Sequence, residues 1–289
     1  MRLVSGFRPF FITPVFAYQS ELLNPEMAAS SALRMVVGST GVSLLVSHDN
    51  GIKALKSWQI AKSEQGFQAV ESEIRGIFGS EPLLNWQYKT KTCVLSSPDS
   101  TLVPRRLFEP ENLAQYFKLL LQPELERSYG FEKLVTFDCY LVWAAETSLV
   151  QLCGAYFSSD RFIHLGGPLL NAYHQWAPTD NFGIFANLRG QKVQIAVFER
   201  RNLVFFNTFD FLQSADLLYF ILLVYKQFGL NPLGIPLTIS GTLVEDSEIF
   251  RLLIRYVRII QFSRLPEVLR LPKNAKDLPE HYWLEIVSV

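Results

Sequence analysis

At 289 residues the chain is long enough for two domains or one large one, and 49% hydrophobic against 19% charged residues excludes global disorder. Lys+Arg and Asp+Glu number 27 each, so the formal net charge is zero and no global field attracts nucleic acid. The three cysteines, Cys93, Cys139 and Cys153, lie in apolar surroundings without a CxxC pair, which reads as buried free thiols in a reducing compartment.

The first residues, "MRLVSGFRPFFITPVFA", are apolar but broken by Arg8, Pro9 and Pro14. No signal-peptide core of about 7–15 unbroken apolar residues survives. Phe7, Phe10, Phe11 and Phe16 in this extension suit an interface or docking onto the body. From Leu33, "LRMVVGSTGVSLLVSHDNGIKALKSWQI" reads strand, turn at Gly38-Ser39-Thr40-Gly41, strand, turn at Asn50-Gly51, strand. Short polar turns between apolar runs predict a three-stranded antiparallel meander.

Phe67, Val70, Ile74, Ile77 and Phe78 then fall on one helical face, with Gly79 as the stop and Pro82 beyond it. A strand from Lys89, "KTKTCVLSS", follows this crossover and is expected to run parallel to its neighbour. "PENLAQYFKLLL" predicts a helix with Pro110 in its first turn, and "KLVTFDCYL" a strand closing the unit. "AAETSLVQLCGAYF" reads as a helix; "RFIHLGGPLLNAYHQWA" reads as a short strand and another helix.

Phe182–Phe211, "FGIFANLRGQKVQIAVFERRNLVFFNTFDF", repeats the meander, with turns at "LRGQ" and "ERRN". Ser214 is the expected N-cap of the next helix and Asp216 lies in its first turn. Its body, "LLYFILLVYKQF", is apolar nearly all round, so burial between layers is predicted; Gly229 stops it. The strand "IPLTIS", the helix "DSEIFRLLIRYV" and the strand "IIQF" complete the second unit. The Pro-punctuated remainder is expected to wrap back and end in a short strand, "HYWLEIVSV". No run reaches the ~18–20 apolar residues of a membrane span.

Two β-β-β-α-β-α-β units in one chain form the skeleton of two facing ribonuclease-H-like domains. Such duplicated units resemble the actin, sugar-kinase and heat-shock ATPase superfamily. At finer grain, Ala32 to Phe262 resembles an uncharacterised bacterial domain-of-unknown-function family with an actin-like ATPase fold. "LRMVVGSTGVSLLVSHDNGIKALKSW", "VQIAVFERRNLVFFNTFDFLQSADLLYFILLVYKQFGL" and "IPLTISGTLVEDSEIFRLLIRYV" carry that resemblance. The expected class is α/β with mixed sheets. The expected divisions are an extension over 1–31, a first ribonuclease-H-like domain over 32–178, a second over 179–265, and a tail over 266–289 packing on the body.

The resemblance implies phosphate turns, each with a carboxylate just before its first glycine to place Mg²⁺ or water. The first such position here is Val36, and the second turn reads Asn187-Leu188-Arg189-Gly190. The adenosine loop is reduced to Ser240-Gly241-Thr242. Gly38, Ser39, Thr40 and Gly241 are therefore candidate vestigial cofactor-binding residues, and the first turn reads foremost as a structural hairpin. Nucleotide binding without hydrolysis is the alternative, since backbone amides alone hold anions.

No catalytic or metal set is expected. The four histidines, His48, His164, His174 and His281, lack ligand spacing. Asp49 alone in the first meander cannot make a two-metal nuclease. His164 reads as structural, and Ser240 lacks the G-x-S-x-G frame. Asp138 and Glu146 read as solvated or capping carboxylates.

Between Arg251 and Lys276, Arg255, Arg258, Arg264, Arg270 and Lys273 add to a basic bias against Glu267 alone, read as a solvated face. The expected function is a non-catalytic, cytoplasmic scaffold with a protein partner or self-association, and no cofactor. An ATPase or kinase-like protein using the inter-domain cleft is the first alternative. A nucleic-acid binder through 251–276 is the second.

Overall fold

The computed structural model describes residues 13–60, 67–97, 99–118, 126–158, 162–265, 271 and 279–289. Strand β1 (Phe16–Gln19) and helix α1 (Pro25–Ala29) precede the first meander, β2 (Ala32–Gly38), β3 (Gly41–His48) and β4 (Gly51–Gln59). Helix α2 (Phe67–Ser80) crosses to β5 (Thr90–Ser96), which lies parallel to β2. An insertion follows: β6 (Ser100–Pro104), β7 (Arg127–Leu134), β8 (Cys139–Glu146) and α3 (Thr147–Gly154). Then come β9 (Phe162–His164), parallel to β5, and α4 (Gly166–Trp176).

The second unit holds β10 (Phe182–Arg189), β11 (Lys192–Glu199), β12 (Asn202–Asp210), α5 (Ser214–Gln227), β13 (Leu237–Gly241), α6 (Glu248–Leu253) and β14 (Ile260–Phe262). Helix α7 (Leu284–Val287) comes last. The sheet orders are β1-β4-β3-β2-β5-β9 and β12-β11-β10-β13-β14, so five strands in each follow the same path. The molecule is thus a mixed α/β fold of two ribonuclease-H-like units, with β6-β8-β7 as a third sheet.

Alternation along the strands sorts the cores. Leu33, Met35 and Val37 point to the outer core with α2 and α3, while Val36 points inward. In the second sheet Ile184, Ala186 and Leu188 face α5 and α6, and Phe185 faces inward. The inward faces share one core with α4 and α7, which includes Leu169, Tyr173, Trp283 and Ile286. The layers therefore run helix, sheet, helix, sheet, helix.

The second hairpin of each meander turns through two residues in left-handed backbone: Asp49 and Asn50 at φ 46° and 59°, Arg200 and Arg201 at φ 49° and 66°. That geometry matches the twist of paired strands. The Asn50-Gly51 signal was thus one residue out of frame, and two arginines fill the equivalent turn.

Several expectations are corrected. "KLVTFDCYL" does not close the first unit; Asp138, at φ 47°, folds β8 back on β7, and three-residue β9 closes it. "PENLAQYFKLLL" forms 3-10 turns over Pro110–Phe117, with a break at Asn112. Local bonds compete with the α-helix there: Asn112 donates to Glu109, and the Tyr116 hydroxyl donates to the Leu107 carbonyl. Its last residues, 119–121, lie outside the described residues. Helix α5 is buried on one side only, leaving Tyr219 60% and Leu223 37% exposed. Its N-cap is Gln213, whose N–H donates to Asp216. "HYWLEIVSV" forms a 3-10 turn (Glu280–Trp283) and α7 rather than a strand. A short run apolar on every side carries no period to separate the two states.

Candidate functional site

The turns that resemble phosphate loops lie at the facing ends of the two sheets. Gly38 and Gly41 pair across the first turn, with Ser39 and Thr40 between them. Close packing explains both glycines. A Cβ on Gly41 would sit 2.5 Å from the Trp58 carbonyl oxygen, and one on Gly38 would sit 2.9 Å from Ser96 Cβ. The second turn begins at Gly190, at φ +58°, where a Cβ would lie 2.7 Å from Thr40 Cγ2. The two turns therefore touch each other directly.

The carboxylate positions are equally committed. Val36 is fully buried in the inter-sheet apolar core. Asn187 is 1% exposed and belongs to a directed chain of hydrogen bonds. Tyr173 Oη donates to Ser240 Oγ at 2.7 Å, which donates to Asn187 Oδ1 at 2.9 Å. Asn187 Nδ2 donates in turn to Glu285 Oε1 at 2.7 Å. Arg189 closes the network by pairing with Glu285 Oε2, so the buried carboxylate of α7 is both charge-matched and hydrogen-bonded. Gly241, at φ +86°, belongs to the strand frame: a Cβ there would lie 2.0 Å from the Leu188 carbonyl oxygen.

The two carboxylate positions supply no free ligand for Mg²⁺. Val36 offers no ligand, and Asn187 is engaged on both sides of its amide. Glu285 is held by Arg189, and among the described residues no three His, Cys, Asp or Glu side chains converge on a metal-sized site.

Beside the turns a cavity of about 780 Å³ opens. Ser39, Thr40 and Gly190 line one wall, Val15, Ile60, Phe67, Val70, Phe211 and Leu212 supply apolar surface, and Lys192 pairs with Asp210 at the edge. Of the four candidate residues, Ser39 and Thr40 reach this cavity, while Gly38 and Gly241 sit in the strands behind it.

The remaining candidates have structural partners. His164 Nε2 donates to the Ser97 carbonyl at 2.8 Å and Nδ1 accepts from the Gly166 N–H at 3.0 Å. This fixes the neutral tautomer, and burial pushes its pKa down to about 4. Above the start of α4, Glu132 accepts from the His164 N–H at 3.1 Å, and burial pushes its carboxyl up to about 7. Glu146 pairs with Arg127 at 2.9 Å, and Asp138 lies 3.6 Å from Arg105. Arg251, Arg255 and Arg258 are exposed; Arg270, Lys273 and Lys276 lie outside the described residues, as do Phe7, Phe10 and Phe11. Phe16 packs against Trp283 with ring centroids 4.9 Å apart and the planes tilted by 59°.

Sequence reasoning missed Tyr173, Arg189 and Glu285. One signal was present: a lone carboxylate inside the apolar run "YWLEIVSV", which is buried only with a partner.

No functionally curated protein matches the chain. A Bacteroides thetaiotaomicron protein with an actin-like ATPase fold and unknown function is similar in structure, with TM-score 0.74 and 18% identity, covering 84% of this chain and 94% of that one. The PilM-PilN type IV pilus biogenesis complex gives TM-score 0.58 and 12% identity, covering 89% of this chain and 96% of that one. Both likenesses concern the fold, which is actin-like. The family model described as "Protein of unknown function (DUF3822)" matches residues 20–260, and the chain belongs to that family.

Proposed function

We infer that this chain is a non-catalytic interaction protein that keeps the actin-like architecture as a scaffold. The observation that carries this reading is the direct contact of Thr40 with Gly190, with Val36 and Asn187 at the two carboxylate positions. Losing one preorganised electrostatic group typically costs about 10²–10³ in rate; here both are replaced. A protein partner is favoured because the function must then reside in surfaces. The fold neighbour PilM is solved in complex with PilN, which is consistent with such a use of the fold. Among the described residues no helix is long and apolar enough to cross a membrane. The three cysteines are free, which suits a cytoplasmic setting.

Mg-ATP turnover measured beside a thermal-shift titration tests the reading. The expected outcome is no hydrolysis above background and no stabilisation by ATP. Turnover that persists through further purification overturns it. The cavity beside Ser39 and Thr40 supports a second reading, nucleotide sensing without hydrolysis. A large ATP-dependent stabilisation abolished by Thr40→Ala would establish that one instead.

A further inference from the structure

Helices α5 and α6 cover the outer face of the second sheet side by side. Each is a crossover leading to a parallel strand, so both run in the same direction. Ser214 Oγ donates to Glu248 Oε1 at 2.8 Å, tying the two helices start to start. Their inner sides share one core through Leu217, Ile221, Leu253 and Val257. Both advance about 1.5 Å per residue, which brings Tyr219 and Leu223 level with the end of α6 and the turn after it.

The outer side of α5 and the turn after α6 expose apolar side chains where a surface is ordinarily polar. Tyr219 is 60% exposed, Leu223 37%, Ile254 50% and Tyr256 48%. Lys226 on α5, Arg251 on α6 and Arg255 in the turn after it are exposed, and no side-chain hydrogen bond or ion pair engages them among the described residues. The acids of α6 stand at its other end: Glu245 and Asp246 before it, and Glu248 at its first position, bonded to Ser214.

We propose that the α5–α6 face docks an acidic amphipathic helix of a partner protein. Its apolar stripe would cover Tyr219, Leu223 and Ile254, and its carboxylates would meet Arg251 and Arg255. Tyrosine and arginine are the side chains that most often anchor such contacts. Nucleic acid would pair with the arginines but leave the apolar stripe wet, and a chain of zero net charge brings no long-range field to attract it. This proposal rests on the reading of the chain as an interaction protein and names the chemistry of its partner.

The test uses the full chain and a fluorescent helical peptide of glutamate and leucine, with leucines at i, i+3, i+4 and i+7, followed by anisotropy. Micromolar binding is expected, weakened at least about tenfold by Leu223→Ser/Ile254→Ser and, separately, by Arg251→Glu/Arg255→Glu. These positions are exposed, and unchanged melting temperatures confirm folding of the variants. Absent binding, equal binding of a lysine–leucine peptide, or binding unaltered in the variants overturns the proposal. Duplex DNA binding sensitive to the arginine pair alone overturns it in favour of nucleic acid. Self-association abolished by Leu223→Ser overturns it in favour of a second copy. Mg-ATP turnover of the same preparations reports separately on the parent reading: peptide failure without turnover sinks only the docking face, whereas turnover sinks the scaffold.

Discussion

Asn187 has both ends of its amide in use, accepting from Ser240 and donating to Glu285. An aspartate there could accept but not donate, and would place a second carboxylate against Glu285. Asn187→Asp, which restores the acid that the ATPase superfamily carries, is therefore expected to destabilise the fold by about 3–5 kcal/mol and to confer no turnover. Urea denaturation measures the first and an ATPase assay the second; a variant as stable as the parent would show that the network tolerates two acids.

Glu132 of β7 and His164 of β9, packed beside the start of α4, oppose each other in pH. Glu132 titrates at about 7 in the folded chain against its ordinary 4.5. Between those values the folded state holds a proton that the unfolded state has lost, so this group adds stability as pH falls. His164 titrates at about 4 against its ordinary 6.5. The unfolded state there takes up a proton that the folded state refuses, so this group removes stability as pH falls. Each effect reaches on the order of 3 kcal/mol over nearly the same window, and the two offset. Glu132→Gln removes the first alone, so its stability should drop more steeply than the parent's between pH 7 and pH 5. Urea midpoints at the two pH values check this; parallel slopes would refute the assignment.

Among the elements, α7 has the least local support. Four residues cannot hold a helix in water, yet Leu284, Glu285, Ile286 and Val287 are all buried. Packing between the sheets holds it, together with the Glu285 network. Ile286→Ala should cost about 2–5 kcal/mol and lower the unfolding midpoint of both units together, read by hydrogen exchange in β2 and β10. Loss confined to the C-terminal residues would instead make α7 a dispensable appendage. This element was also the least legible. The meanders announced themselves through alternation and polar turns, because a sheet with two different cores writes its faces into the sequence. "YWLEIVSV" has no polar face, and its state was decided by partners distant in the chain. β9 was legible as a short strand, but three residues do not record which sheet edge they join, and the 3-10 turns at Pro110–Phe117 followed from side-chain bonds that a helical reading does not weigh.

At the scale of the molecule, the duplication was legible because each unit repeats its elements in the same order, and order survives where individual motifs decay. The closure between the units was not. That Thr40 meets Gly190 depends on how two sheets face each other, which no local pattern records. The turns showed which residues stand at the carboxylate positions; only the packing showed what those residues touch.

The inter-sheet core joins Val36 and Leu45, from the first strands, to Ile286 and Val287, from the last helix. The second sheet, by contrast, is assembled from one uninterrupted stretch, Phe182 to Phe262. Closing a long loop costs entropy before its contacts repay it. The order of folding follows: the second unit can condense early on its own contacts, while the first sheet keeps its inward face uncovered until α7 returns across the whole chain. That wait is the expected slow step, and the apolar strand face around Val36 and Leu45 is the surface on which a stalled chain would aggregate or recruit a chaperone.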